Sequence, residues 1–216
     1  MPETSAIVVL LGGRLAVDFA NAPSYPAAPD HDLSWEEFVA FLEASHIVSA
    51  ERGAELLTLS QTDPRAAFAV LSRAMRLRDA LRDAFGALVR SQRVSGEWAG
   101  PINEVLRITE GHDELVQDDG RWRLEFIARE GGLDWLLAAI ARSAAEILVE
   151  GAKARIRRCA NPGCELFFSD NSRTGRRRWC SMAICGNRHK VASFARRRGG
   201  VRLLERGPAR WVFARA

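Results

Sequence analysis

Four cysteines constrain this chain more than any other feature, because they occur as two regularly spaced pairs. Cys159 and Cys164 enclose four residues, Cys180 and Cys185 enclose four more, and fifteen residues separate the pairs. Thiolate binds Zn²⁺ well, and four thiolates in two closely spaced pairs are typical of closed tetrahedral structural sites. The spacing therefore predicts one structural zinc ion held by these four cysteines. Two disulfides, or four unrelated buried thiols, are the alternatives.

The N-terminal sequence and the hydropathy pattern favour a cytoplasmic location. The chain starts without a basic region, and its apolar run from Ala6 to Leu11 is shorter than the apolar core of a signal peptide. The most apolar helix candidate, Leu133 to Val149, contains Arg142 and Glu146, so we expect no membrane span. In the cytoplasm, reduced glutathione keeps thiols available for metal.

Charge is divided sharply between the two parts of the 216-residue chain. Residues 1–150 contain 14 Lys and Arg against 24 Asp and Glu, whereas residues 151–216 contain 17 against 3. A strongly basic segment of this kind is typical of binding to a polyanion such as nucleic acid. The alternative is that the acidic and basic parts dock on and neutralise each other.

The apolar periodicity of residues 1–150 is mainly helical. A capping box at Ser34, a serine at position 49 and Asp63-Pro64 each predict the start of a helix. In the second of these helices, which should run to about Leu59, Ala54 and Leu57 are expected on one face. The third should continue to about Arg90. Its core face is predicted to contain the following apolar residues: Phe68, Leu71, Met75, Leu81, Phe85 and Leu88.

Further signals complete the predicted N-terminal domain. Pro101 to Arg107 predicts a short helix, and the Asp118-Asp119-Gly120 turn between alternating segments predicts a β-hairpin. After Gly131-Gly132, a helix is expected from Leu133 to about Ala154. The chain is thus predicted to be mainly α with a small β-hairpin (an α+β fold), with a helical domain over 1–152 and a zinc module over 153–216.

The zinc module has its own local signals. Asn161-Pro162-Gly163 predicts a tight knuckle between the first two cysteines. A strand over 165–168, a turn over 169–175 and a second strand ending at Cys180 would form a hairpin, followed by a helix from Met182 to Arg198 that presents Cys185 in its first turn. This order is treble-clef-like. His189 is a less favoured substitute ligand, because four thiols already complete the site.

Two strings in this sequence resemble a known family. Arg178-Trp179-Cys180-Ser181-Met182 and the later Cys185-Gly186-Asn187-Arg188 are similar to CGNR-type zinc fingers, and Val17-Asp18-Phe19-Ala20-Asn21-Ala22 resembles the start of the helical ABATE domain that precedes them, with its final threonine replaced by alanine. The resemblance covers nearly the whole chain. It implies a bacterial transcription regulator with a nucleic-acid-binding finger, and carries the four cysteines over as zinc ligands.

Basic residues around the cysteines are the candidate nucleic-acid contacts. They are Arg176, Arg177, Arg178, Arg188, Lys190, Arg196, Arg197 and Arg198. Those on the last helix are spread around it rather than confined to one stripe, which favours contact with phosphates over base recognition. Asn187 and Arg188 are alternatively interpreted as groups that brace the zinc loop. Trp179 is expected beside the metal in the core rather than as a base-stacking platform.

A second candidate site lies near the N-terminus. Asp18 and Asn21, with His31 and Asp32, flank a proline-rich stretch and are candidates for a small-molecule pocket. Helix capping and turn formation are their alternative roles.

Together these features predict a zinc-containing, DNA-binding transcription regulator whose N-terminal domain senses an effector or forms a homodimer. An RNA-binding protein and a zinc-stabilised protein-interaction adaptor are the alternatives. An enzyme is not expected, because four thiolates leave zinc no open position and no nucleophile–base arrangement is evident.

Overall fold

The computed structural model describes residues 8–22, 32–92, 95–109, 111–118, 121–128 and 132–197. The elements within these ranges are α1 (Leu15–Ala20), α2 (Trp35–Ala44), α3 (Ala50–Thr62), α4 (Pro64–Val89), α5 (Ala99–Ile108), β1 (Gly111–Asp118), β2 (Arg121–Ala128), α6 (Ala138–Glu150), β3 (Ile156–Arg158), β4 (Phe167–Ser169) and α7 (Asn187–Arg197). Short 3₁₀ turns precede α5 and both precede and follow α6, and a π-helical turn precedes α7. The predicted fold class, mainly helical with a small antiparallel hairpin and a four-cysteine module, is confirmed.

The three predicted helix starts are confirmed in detail. The Ser34 hydroxyl accepts the N–H of Glu37 at 3.1 Å while the Glu37 carboxylate accepts the N–H of Ser34 at 2.9 Å, which completes the capping box of α2. Ser49 caps α3, and Asp63 caps α4 with a proline in its first turn. Each cap satisfies an N–H group that lacks a partner within the helix.

The main core lies between α1, α2, α4 and α6. Phe19 of α1 contacts Phe38 and Phe41 of α2, with ring centroids 6.2 and 5.2 Å apart. Leu81 and Phe85 of α4 are fully buried, as predicted.

One predicted core position was wrong. Phe68 of α4 is 70% exposed, because α4 buries the adjacent face through Ala67, Val70 and Ala74. On α3, Leu56 is buried and Leu57 is 39% exposed. Small residues on the buried face let neighbouring helices approach closely, but they contribute little to an apolar pattern.

The predicted hairpin is also present. Strands β1 and β2 are antiparallel, with a register from Gly111 opposite Ala128 to Asp118 opposite Arg121. The predicted turn residues 119 and 120 lie outside the described residues. The predicted helix over 133–154 is α6 with a 3₁₀ turn at each end, and Gly151 stops it at a φ of 55°. None of the helices in the described part of the chain is both long and apolar enough to cross a bilayer.

Strand pairing in the zinc module differs from the prediction. Strand β4 pairs with β3, which precedes the first cysteine, through Ile156 opposite Ser169 and Arg158 opposite Phe167. Residues 176–180 form no strand. The predicted hairpin between 165–168 and 176–180 is therefore wrong. The short β3 segment has two exposed arginines among its three residues, so its apolar signal was too weak to predict a strand.

Strands β3 and β4 attach the zinc module to the helical domain. Ile156 and Phe167 belong to the main core, and the Phe167 ring lies 6.1 Å from that of Phe85. Asn21 at the end of α1 donates to the Phe167 carbonyl oxygen at 2.8 Å and accepts the Phe167 N–H at 2.9 Å. The Ser169 N–H donates to the Gly12 carbonyl oxygen at 2.7 Å. The module is thus held by both apolar packing and backbone hydrogen bonds.

Replacing Asn21 by alanine should weaken this junction. Asn21→Ala leaves the buried N–H and carbonyl of Phe167 without their partner, so the free energy of unfolding should fall by roughly 2–4 kcal/mol. Urea denaturation followed by circular dichroism measures the change. Asn103→Ala is the matched control, because Asn103 is exposed on α5, and it should change stability by less than about 0.5 kcal/mol. Equal stabilities of the two variants would contradict this role of Asn21.

Candidate metal centre and cationic surface

Four buried sulfurs meet at one point in the module. The Sγ atoms of Cys159, Cys164, Cys180 and Cys185 all lie within 4.8 Å of one another. The Sγ atom of Cys180 is 3.7 Å from that of Cys164 and 3.7 Å from that of Cys185. A tetrahedron with Zn–S bonds of about 2.3 Å has S–S edges of about 3.8 Å. These separations exceed a disulfide bond and match a tetrahedral edge, so the four cysteines fit one structural zinc ion, as predicted.

Local backbone hydrogen bonds set the positions of the cysteines. The N–H of Cys164 donates to the Asn161 carbonyl oxygen at 2.9 Å, which closes the predicted knuckle, and the N–H of Cys159 donates to Leu166. On the other side, Ser181 caps the π-helical turn Met182–Gly186 that contains Cys185. Each pair is therefore shaped by a turn within its own segment, and the two turns meet at the sulfurs.

Without a cation, ionisation of Cys164 is favoured and opposes that of Cys180 and Cys185. A hydrogen bond from Cys180 lowers the pKa of Cys164 to about 5, and the same contact raises the pKa of Cys180. Burial, together with the negative charges of Cys164 and Cys159, raises the pKa of Cys185 to about 11. A divalent cation between the sulfurs would reverse this, because metal ligation deprotonates thiols and offsets their repulsion.

An asparagine that the sequence analysis did not select contacts the cluster. The side-chain amide of Asn161 donates to the Sγ atom of Cys185 at 3.4 Å. Asn187, which was predicted to brace the zinc loop, is exposed at the start of α7, and that role stays a prediction. The position of Asn161 between the first two cysteines could have indicated this contact, but the sequence analysis interpreted Asn161 only as a turn residue.

Arg177 is used inside the module rather than on its surface. Its guanidinium donates to the Trp179 carbonyl oxygen at 2.9 Å and to that of Cys180, and it lies 4.6 Å above the Phe168 ring. These contacts fix the backbone that leads into the second cysteine pair. Arg177 thus braces this loop, and its contact with nucleic acid stays a prediction.

A buried carboxylate organises the same loop. Asp170 is fully buried; one of its oxygens accepts from the N–H and hydroxyl of Ser172, and the other from the N–H of Arg177. The Nε atom of Arg157 lies 3.0 Å from the second oxygen. Burial alone would raise the pKa of Asp170, but these hydrogen bonds and the positive charge of Arg157 outweigh it and hold the pKa below its ordinary value.

The ion pairs described for the module lie within it. Arg157 pairs with Asp170, and Arg158 pairs with Glu165 at 2.6 Å. Acidic residues of the helical domain pair with arginines of that domain, as in the contacts of Arg14 with Glu146 and Glu150. These pairings give no support to the alternative in which the acidic part neutralises the basic part.

Trp179 connects the two segments that bear the described candidate contacts. The Arg178 guanidinium lies 5.1 Å from the Trp179 ring, and the His189 ring lies 4.8 Å from it, which joins the 176–179 loop to the start of α7. Arg176, Arg178, Arg188 and Lys190 are exposed. Arg196 and Arg197 lie in α7 with side chains outside the described set, and Arg198 lies outside the described residues. Trp179 is partly buried and packs against the cysteine cluster, as expected.

Asp18 and Asn21 are both buried and bonded to backbone. The Gly12 N–H donates to the Asp18 carboxylate at 2.6 Å, and Asn21 bonds to Phe167 as described above. Burial raises the pKa of Asp18, although N–H groups of residues 11–13 counteract the effect. Asp18 thus has the turn-forming role of the alternative interpretation, and Asn21 holds the backbone of β4. A ligand pocket around the two residues stays a prediction. Asp32 is exposed, and His31 lies outside the described residues.

The protein combines a mainly helical domain with a closed four-cysteine module, so its class is that of a helical protein with an attached structural zinc finger. Comparison with family models agrees: residues 155–198 match the CGNR zinc finger. Residues 13–151, more than half of the chain, match the ABATE model, described as "Putative stress-induced transcription regulator". The chain therefore belongs to the ABATE family, and the resemblance noted in the sequence is confirmed. No curated protein sequence matches the chain.

Metal content is the direct check of the site. The protein should contain one zinc ion per chain by inductively coupled plasma mass spectrometry, and Cys180→Ser should lose it and unfold at a lower temperature. Zinc binding to structural finger sites contributes about 10–16 kcal/mol to folding in isolated peptides, so the loss should be large. His189→Ala is the control, because His189 stacks on Trp179 and is not in the cysteine cluster. Zinc loss in His189→Ala with retention in Cys180→Ser would contradict the four-thiol assignment.

Proposed function

We propose that the protein is a zinc-dependent, DNA-binding transcription regulator that contacts the phosphate backbone through its finger. The observation that carries the proposal is the set of exposed cations around Trp179. Arg176 and Arg178 lie on the loop before the third cysteine, Arg188 and Lys190 lie on the first turn of α7, and the ring contacts of Trp179 hold loop and helix together. Zinc would fix both segments, so the cationic surface would depend on the metal.

The composition of this surface suits phosphate contact. Guanidinium and ammonium groups neutralise phosphates and release counterions, which gives affinity without sequence selection. The described ion pairs of the finger involve Arg157 and Arg158, and they do not include Arg176, Arg178 or Lys190.

The remaining parts of the proposal concern the rest of the molecule. The helical domain would sense an effector or form a homodimer, as expected of a regulator with one small finger. A cytoplasmic location would keep the four thiols reduced for zinc. The zinc would be structural rather than catalytic, because four thiolates saturate its tetrahedral coordination.

Charge-neutralising variants test the nucleic-acid surface. Arg176→Gln combined with Lys190→Gln should weaken binding to mixed-sequence duplex DNA and lower the slope of log K against log salt concentration by about 2, roughly one for each lost phosphate contact. Fluorescence anisotropy across a salt series measures both quantities. Arg65→Gln is the control, because Arg65 is an exposed arginine on the helical domain, and it should leave the slope unchanged.

The same assay separates the alternatives. Preference for structured RNA over duplex DNA in competition would replace the DNA proposal with an RNA-binding one. Failure of the zinc-loaded protein to bind either nucleic acid at low salt would leave the protein-interaction adaptor.

A further inference from the structure

An arginine-rich cleft lies where the finger meets the helical domain. It has a volume of about 410 Å³ and lies between the C-terminal end of α4 and the segments 155–160 and 177–178. Five arginines line it: Arg155, Arg157, Arg158, Arg177 and Arg178. No carboxylate is among its lining residues, which also include Leu88 and the exposed Val89. A concave site of this size between two structural units is typical of small-ligand pockets.

The positive charge in the cleft exceeds what its partners neutralise. Asp170 and Glu165 pair with Arg157 and Arg158. The other three arginines contact neutral groups. Arg155 donates to the Ser172 carbonyl oxygen, Arg177 to those of Trp179 and Cys180, and Arg178 lies over the Trp179 ring. Carbonyl groups and rings orient a guanidinium without cancelling its charge. A dianion would match this excess, and guanidinium groups suit the geometry of phosphate oxygens.

Backbone strain is concentrated at the same place. In the described part of the chain, three non-glycine residues have positive φ, and two of them, Ser91 at 55° and Arg155 at 48°, line the cleft. Ser91 follows the end of α4, where the N–H of Gln92 donates to the Ala87 carbonyl oxygen at 2.9 Å, a position that glycine usually occupies. Serine there places a hydroxyl at the cleft at a conformational cost. Strain of this kind clusters at ligand sites.

From this combination we infer that the cleft binds a small organic phosphate. Its phosphate would contact the arginines, and its apolar or aromatic body would lie on the exposed Val89. A nucleic-acid phosphate is a less suitable occupant, because a duplex backbone has no apolar body to cover Val89. Arg178 is common to the cleft and to the proposed DNA-contacting surface, whereas Arg176 and Lys190 of that surface lie outside the cleft.

Ligand binding in the cleft would also change the position of parts of the finger. Arg177 joins the cleft to the backbone of Cys180, and Arg178 joins it to Trp179 and through that ring to His189 of α7. A ligand that draws either guanidinium towards its phosphate would shift the loop and helix that bear the exposed cations. Ligand binding itself stands independently of DNA binding, whereas this regulatory effect rests on the proposed function.

The test uses the zinc-loaded full chain and isothermal titration with AMP, adenosine and inorganic phosphate. AMP should bind at one site and about tenfold more tightly than either fragment, because only AMP offers both phosphate and an apolar body. Arg155→Asn combined with Arg158→Gln should weaken AMP binding at least about tenfold, because the double variant loses one or two charge-assisted contacts with the phosphate. Asn is chosen at 155 because it tolerates positive φ.

A matched variant separates this site from the DNA surface. Arg176→Gln removes the same kind of charge from the finger outside the cleft, so AMP affinity should stay within about twofold while DNA binding weakens. If the double variant is poorly folded by circular dichroism, Arg158→Gln alone replaces it, since it breaks only an exposed ion pair. Saturable binding by neither AMP nor phosphate, equal affinity for both, or equal loss in the Arg176→Gln variant would overturn the inference, whatever the DNA result.

Discussion

The mutual repulsion of four buried thiolates is the constraint on which the C-terminal part of this structure depends. Sulfurs within 4.8 Å of one another are opposed to joint ionisation, and a divalent cation is the species that would relieve that opposition. The knuckle over 159–164 and the turn over 182–186 meet at the sulfurs, where the Asn161 side chain also donates to Cys185. The positions of the loop with Arg176 and of the start of α7 depend on this contact, because each segment is adjacent to one of the cysteines. The metal site therefore determines where the finger's positive charge is displayed.

The finger is also tied to the helical domain, so the two parts share a core. Phe167 is inserted beside Phe85, and Asn21 satisfies its backbone on both sides. Gly12, whose carbonyl accepts from Ser169, has no space for a side chain, because an added Cβ would lie 2.7 Å from the backbone nitrogen of Asp18. This arrangement explains why the N-terminal motif and the cysteine motif occur in one chain: part of the first holds the strands that lead into the second. It also creates the arginine-lined cleft between them.

Sequence was sufficient for features that depend on local chemistry. The cysteine spacing predicted the sulfur cluster, and Ser34, Ser49 and Asp63-Pro64 predicted helix starts, because capping involves residues three positions apart. Features that depend on contacts across the chain were missed. Phe68 has the correct helical period but lies on the face that α4 leaves exposed. The pairing of β3 with β4 joins segments on either side of the first cysteine pair, and the roles of Arg177 and Asn161 depend on where the backbone of residues 177–185 returns. Arginines that brace a loop and arginines that face solvent look identical in sequence.

The central claim is that zinc creates the DNA-binding surface, and a zinc titration of DNA binding tests it most directly. Metal-free protein, kept reduced, is titrated with Zn²⁺ while the anisotropy of a labelled duplex is followed at low salt. DNA affinity should appear in proportion to added zinc and reach its maximum at one equivalent per chain, because the loop with Arg176 and the start of α7 become ordered together with the four thiolates. Equal DNA affinity of the metal-free and zinc-loaded proteins would contradict the account.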